Sequence, residues 1–180
     1  MITVHFFTFS PFGENTYILF DETGECLIID PGCYDNQELA ELAGFITNKK
    51  LKPVKLLNTH CHLDHVFGNG FVTETYKLNL EAHRNEVPVL ANYLRAASMY
   101  GLNAEPSPDI AVFLEEGNLI KFGNSSLEIL FTPGHSPGSI TFFSREQQFM
   151  ISGDVLFNRS IGRTDLPGGN HREVERTGNG

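Results

Sequence analysis

Four side chains that bind metals, His60, His62, Asp64 and His65, fall within six residues of Thr59-His60-Cys61-His62-Leu63-Asp64-His65. Imidazoles with a carboxylate suit Zn²⁺, which keeps a coordination position open in catalytic sites. Fe²⁺ or Mn²⁺ accept the same N/O set. Residues i and i+2 leaving a strand project to one side, so His60 and His62 can grip one ion. Asp64 and His65 lie past the turn, point elsewhere and suit a second, adjacent ion. The alternative is a solvated His-rich loop. The flanks disfavour it, because an apolar strand precedes the cluster and Gly68-Asn69-Gly70, expected as a turn, follows it.

Two further segments complete such a site. Pro133-Gly134-His135-Ser136-Pro137-Gly138 follows an apolar strand, and its Pro and Gly residues fix a tight loop presenting His135. Ile151-Ser152-Gly153-Asp154 ends another strand on a carboxylate. Alone, His135 reads as a surface residue and Asp154 as a turn residue or helix cap. Together they supply a third nitrogen for one ion and a carboxylate that two ions can share.

With Asp30-Pro31-Gly32 and Gly162-Arg163-Thr164-Asp165, these segments make the chain resemble the metallo-β-lactamase-fold hydrolases over nearly its whole length. Within that superfamily it is most similar to the glyoxalase II (hydroxyacylglutathione hydrolase) branch, in its small bacterial form. The resemblance implies an α/β (α+β) fold, a four-layer αββα sandwich with two zinc ions on its edge. It implies His60, His62 and His135 on the first metal, Asp64 and His65 on the second, and Asp154 as the bridge. A metal-bound hydroxide would then attack a small thioester, with Asp64 orienting it and a thiolate leaving. Arg163 stands where the family places a basic residue near glutathione; a salt bridge with Asp165 is the equal alternative. Asp30 either orients a ligand imidazole or only shapes its turn. The family's last second-site histidine lies in a Pro-Gly-His segment that Gly162–Gly180 does not contain, so the second site is expected to be incomplete or the chain a shortened form. His171, the one histidine after Asp154, reads as an exposed loop residue.

The elements that must position these residues are mostly strands. Ile2–Phe9, Thr16–Phe20 and Glu25–Ile29 are rich in β-branched and aromatic residues, and Asp21-Glu22-Thr23-Gly24 reads as a hairpin turn. Asn36–Lys49 carries Leu39, Leu42, Ala43 and Ile46 at helical spacing. Val54–Asn58 and Leu78–Ala82 read as strands, the first buried on both faces. Asn85–Tyr100 reads as one helix, with Val87, Leu90, Leu94 and Ala97 as its packing face. Leu119–Phe122, Leu127–Phe131, Ile140–Phe143 and Gln148–Ser152 are strands again. This order predicts two packed sheets with helices outside, rather than one doubly wound parallel sheet. Residues 1–180 read as one domain, with 165–180 a loop or tail.

Composition narrows the function. Thirteen Lys and Arg oppose 22 Asp and Glu, a formal net charge of −9. That argues against nucleic acid or an anionic membrane, which select a basic footprint. The N-terminus lacks a basic n-region and a small-residue cleavage site. Cys26, Cys33 and Cys61 form no CxxC pair, which predicts free thiols and a reducing, cytoplasmic setting. Cys61 is expected to be a buried, inert thiol, and His5 and His83 to be structural. The leading reading is a zinc thioester hydrolase acting on a hydroxyacylglutathione-like substrate. The runner-up is a mononuclear iron persulfide dioxygenase using His60 or His62 with His135 and Asp154. A truncated metal-binding form without turnover is the third.

Overall fold

The chain builds two sheets whose shared interior is already visible in one strand. The computed structural model describes residues 1–157, 160–161 and 169–170. Strands β1 (Thr3–Phe9), β2 (Glu14–Phe20) and β3 (Glu25–Ile29) form an antiparallel meander. Helix α1 (Asn36–Asn48) leads to β4 (Lys52–Leu57), which pairs parallel to β3. After α2 (Leu63–Val66) and α3 (Asn69–Tyr76), β5 (Leu80–His83) joins parallel to β4. A 3₁₀ turn (Arg84–Glu86), α4 (Val87–Ala91) and α5 (Tyr93–Met99) precede β6 (Ile110–Leu114), which closes a six-stranded sheet of order β1-β2-β3-β4-β5-β6. Strands β7 (Leu119–Phe122), β8 (Ser125–Phe131), β9 (Ile140–Ser144) and β10 (Phe149–Ile151) form a four-stranded antiparallel sheet of order β10-β9-β8-β7. A short pair, β11 (Leu156–Phe157) and β12 (Ser160–Ile161), follows.

In β3, Leu27 and Ile29 face the second sheet, among Leu57, Leu127, Ile129, Ile140 and Phe142. Cys26 and Ile28 face the other way, among Leu42 and Ile46 of α1 and Val72 of α3. The strand is buried on both faces, as a central strand with helices on one side and a sheet on the other must be. Three of the expected four layers thus fall among the described residues: helices, six-stranded sheet, four-stranded sheet. The two packed sheets agree with the pattern read from sequence.

Several boundaries differ from the sequence reading. The Asn85–Tyr100 helix breaks at Asn92, where the backbone (φ −92°, ψ −1°) leaves one helix and enters the next. Val87 and Leu94 consequently stand exposed instead of packing, while Tyr93 and Ala97 are buried. Residues 69–76, expected to open with a turn, form α3, because Asn69 and Val72 are buried behind the site. The sequence pattern does not mark strand β6: Pro106 and Pro108 precede it, and Leu114 is its one buried residue. In β4, Leu56 and Leu57 are buried while Val54 is half-buried. His5 stacks on Phe45 (4.0 Å between centroids) and His83 on Phe131 (4.6 Å), both structural as expected. Arg163, Asp165, His171 and most of 165–180 lie outside the described residues.

One side chain fastens the two sheets at the end remote from the site. The Asp21 carboxylate, in the β2–β3 turn, accepts from Thr23 N (3.0 Å) and from Asn124 N and Ser125 Oγ (2.8 Å each) of the β7–β8 turn. Burial alone would raise this carboxyl, but the hydrogen bonds from Thr23, Ser125 and Asn124 prevail and lower it to about 2. A folded value below the ordinary one means stability present above pH ~4 and lost as pH falls through about 2. Asp21→Ala is expected to reduce the unfolding free energy by about 1–3 kcal/mol at neutral pH. In urea denaturation series the gap between variant and parent should close between pH 4 and 2. A gap independent of pH would contradict the assignment.

Candidate metal centre

The parallel strand β4 ends at Leu57, and Asn58, Thr59 and His60 continue from it into the cluster. Thr59 accepts from Ile140 N through its carbonyl (2.9 Å), which locks the end of the six-stranded sheet to the start of β9. His62 is the N-cap residue of α2, extended at φ −66° and ψ 156°, and Asp64 and His65 occupy that short helix. The i, i+2 projection and the turn expected from sequence are therefore both present. His135 sits on the loop between β8 and β9, pinned by Thr132 N to Ser139 O (2.9 Å) and Ser136 N to Ser139 Oγ (3.1 Å). Asp154 follows Gly153, whose φ of +52° favours glycine; a Cβ there would lie 3.0 Å from Thr59 Cβ.

The six residues converge. His60, His62 and His135 bring one ligand nitrogen each within 4.8 Å of one another, and so do Asp64, His65 and Asp154 with their ligand atoms. His62 Nδ1 and His135 Nε2 are 2.9 Å apart. Asp154 spans the two groups: Oδ1 lies 3.5 Å from His65 Nε2 and Oδ2 3.6 Å from His135 Nε2. Asp64 Oδ2 lies 3.8 Å from His65 Nε2. His60 Nε2 and His65 Nε2 are buried without a hydrogen-bond partner in the protein. Two such orphans would each be costly, and a cation on this donor set would satisfy both. Burial, reinforced by the neighbouring imidazoles, holds His60 well below its ordinary pKa, so its lone pair is available. Burial also disfavours charge on His65, yet the carboxylates of Asp30, Asp154 and Asp64 overcome it and raise that ring. Burial would raise Asp154, but the His65 contact draws it down, so it stands ionised.

Behind these residues is a layer of fixed acceptors. Asp30 is fully buried with a left-handed backbone (φ +50°). Its Oδ1 accepts from Thr59 N (2.7 Å), and its Oδ2 accepts from Thr59 Oγ1 (2.6 Å) and lies 3.1 Å from His65 Nδ1. A third grouping of Asp30, His60 and His65 shares these same atoms. Asp30 thus ties down Thr59 with both oxygens and stands beside the His65 ring, a position compatible with either expected role.

Two acids that sequence reasoning missed belong to this layer. Glu14 at the start of β2 is buried 3.8 Å from His65 Nδ1, and burial holds its carboxyl far above the usual range. Glu86 is fully buried and joins the two ligand loops. Its Oε2 accepts from Cys61 N (2.7 Å), and its Oε1 accepts from Ser136 Oγ (2.7 Å) and Gly138 N (2.6 Å). A Cβ at position 138 would lie 2.8 Å from Glu86 Oε1, so glycine permits this approach. No spacing signal marks Glu86, since its partners are 25 and about 50 residues away. Cys61, between two ligands, is buried with its thiol raised by burial, an inert setting as expected. All three cysteines are free.

A cavity of about 410 Å³ opens beside the cluster, with His62, Asp64, His135 and Asp154 at one end.

Residues 10–179 match the family model of the metallo-β-lactamase superfamily, and the chain belongs to that superfamily. Its fold is the metallo-β-lactamase fold. It is 38% identical over 172 residues to a probable metallo-hydrolase, YqgX, of Bacillus subtilis, covering 91% of this chain and 76% of that one. It is 32% identical to the hydroxyacylglutathione hydrolase GloC of Haemophilus influenzae, again over 91% and 76%. The persulfide dioxygenase of Mus musculus is 34% identical over 86% of this chain and 52% of its own length. Among solved structures, TTHA1623 in a di-iron-bound form superposes with a TM-score of 0.87 at 33% identity, covering 98% of this chain and 84% of that one. The B3 metallo-β-lactamase BLEG-1 gives 0.86 at 29% identity, covering 98% and 83%.

Glu86→Gln can keep acceptors for only one of the two loops. It is expected to weaken metal binding about 10–100-fold, as loss of an outer partner does. Chelator competition measures this, with circular dichroism confirming the fold. Unchanged affinity would remove Glu86 from the site.

Proposed function

We propose that this metallo-hydrolase superfamily member cleaves a small thioester of the hydroxyacylglutathione type. In this reading His60, His62 and His135 hold one divalent ion, and Asp64, His65 and Asp154 a second. The observation that carries it is the Asp154 carboxylate standing between His65 and His135, at 3.5 and 3.6 Å, as a shared ligand would. The donor set suits zinc, and the di-iron form of TTHA1623 makes iron the competing metal.

When bound, a divalent ion supplies Lewis acidity to a carbonyl oxygen and lowers the pKa of water toward ~7. The protein's own groups do the rest. The neutral His60 imidazole and the ionised Asp154 present their ligand atoms without first losing a proton. Asp30 holds His65 from behind, and Glu86 holds the two loops at a fixed separation. In this reading Asp64, half-buried and lining the cavity beside His65, would accept a hydrogen bond from the attacking water. A thiolate leaves readily, so the chemistry does not depend on a separate strong acid.

A specific observation supports a second reading. The persulfide dioxygenase likeness, at 34% identity, makes a single iron on His60 or His62 with His135 and Asp154 the alternative. In the same proposal residues 1–180 form one domain. Free, buried cysteines fit a reducing, cytoplasmic setting, and no helix among the described residues is long and apolar enough to cross a membrane.

Elemental analysis of the purified protein is expected to give two zinc per chain; one iron would favour the dioxygenase. Lactoylglutathione hydrolysis should disappear with chelator and return with zinc. His135→Ala should lower it by more than the roughly 10–100-fold typical of an outer partner. Hydrolysis that survives complete metal removal would end this reading.

A further inference from the structure

The cavity beside the cluster has a character that the metal ligands do not explain. Away from them, its wall comes from α4 and α5, through Pro88, Val89, Tyr93 and Ala96, and from Tyr100 just beyond, with Asn92 and the Tyr93 hydroxyl as the polar groups of an otherwise apolar surface. Phe12 of the β1–β2 loop also lines it and meets Tyr100 edge to face at 5.5 Å. The break at Asn92 separates the two helices: α4 brings Pro88 and Val89 to the wall, and α5 brings Ala96 and the buried Tyr93, while Ala97 packs inward. Among the described lining residues there is no Lys or Arg, and the charged groups are those of the metal cluster.

A thioester carries two arms on its carbonyl, and they differ in what such a wall offers them. Glutathione brings two carboxylates and an ammonium group. Burying them against Pro, Val, Ala and aromatic rings with no opposite charge is strongly unfavourable, so that arm stays toward water. An apolar acyl chain gains about fourfold in binding for each methylene it buries. A cavity of about 410 Å³ lies in the range that encloses a ligand body rather than a two-carbon fragment. We propose that the wall of α4, α5 and Phe12 is an acyl subsite, and that the preferred substrates are thioesters of apolar, medium-length or aromatic acids rather than of small hydroxy acids. This rests on the thioester reading above, keeps its glutathione-type thiol arm and metal chemistry, and replaces the hydroxyacyl arm as the preferred one, lactoylglutathione being a slower substrate of the same site.

The test uses the zinc-loaded full chain and glutathione thioesters that share the thiol but differ in the acyl group: lactoyl, butyryl, hexanoyl and octanoyl. The hexanoyl ester is expected to exceed the lactoyl ester in kcat/KM by tenfold or more. Ala96→Phe, at a half-exposed position, should compress that ratio at least fivefold by filling the wall. A flat series, or a maximum at lactoyl, overturns the proposal. Calorimetric titration with octanoate against acetate separates the two ideas. If no thioester is cleaved, the hydrolase reading fails; octanoate binding at least tenfold tighter than acetate still upholds the apolar subsite, and equal affinities overturn it.

Discussion

Crowding four imidazoles into one buried cluster is unfavourable unless something shares their lone pairs, and the rest of the molecule is arranged around that constraint. His60 stands 4.0 Å from His65 and 4.8 Å from His135 between ring centroids, and His62 lies 4.6 Å from His135. His62 Nδ1 and His135 Nε2 meet at 2.9 Å, but His60 Nε2 and His65 Nε2 find no hydrogen-bond partner in the protein. Left alone, such rings would turn away or protonate and repel. Here they are held by strand ends, a short helix and a tight loop, each anchored to the two-sheet core. The core thereby stabilises an arrangement that is locally unfavourable and that a cation would relieve.

Buried carboxylates fix the geometry, and each uses its oxygens differently. Asp30 spends both on Thr59, which leaves the edge of Oδ2 to the His65 ring. Its left-handed backbone costs on the order of 1–3 kcal/mol, offset by the hydrogen bonds that converge on it. Glu86 spends one oxygen on each ligand loop. It therefore couples a segment near residue 61 to one near residue 137 through a single side chain. Asp154 and Asp64 are the acids facing the rings, and Asp154 is the one whose charge the neighbouring imidazoles stabilise. The division matches the proposed roles: Asp30 and Glu86 orient, Asp64 and Asp154 bind.

The apolar cavity beside this polar cluster sets up a second contrast. Charge is concentrated at one end and absent from the described wall at the other. A substrate that fits must itself be divided, with a polarisable carbonyl toward the cluster and an apolar body along α4 and α5. In the proposed reading, cleavage chemistry and substrate selection thus reside on different elements, the loops carrying the rings and the helices lining the cavity.

The sequence alone determined what is local. The spacing of His60, His62, Asp64 and His65, the loop around His135 and the Gly153-Asp154 strand end mark the segments whose donors the fold brings together, because strand alternation and tight turns are set by neighbouring residues. Alternating apolar strands likewise revealed two sheets. Tertiary structure decided what depends on partners far along the chain. Glu86 and Glu14 look like surface acids until folding buries them among groups from other segments. The Asn85–Tyr100 periodicity fits one helix, but the break at Asn92 splits it into α4 and α5, which both line the cavity. Hydrogen bonds across 25 to 50 residues and the break in a helix leave no periodic trace, because burial is a property of the assembled sheets and not of any one segment.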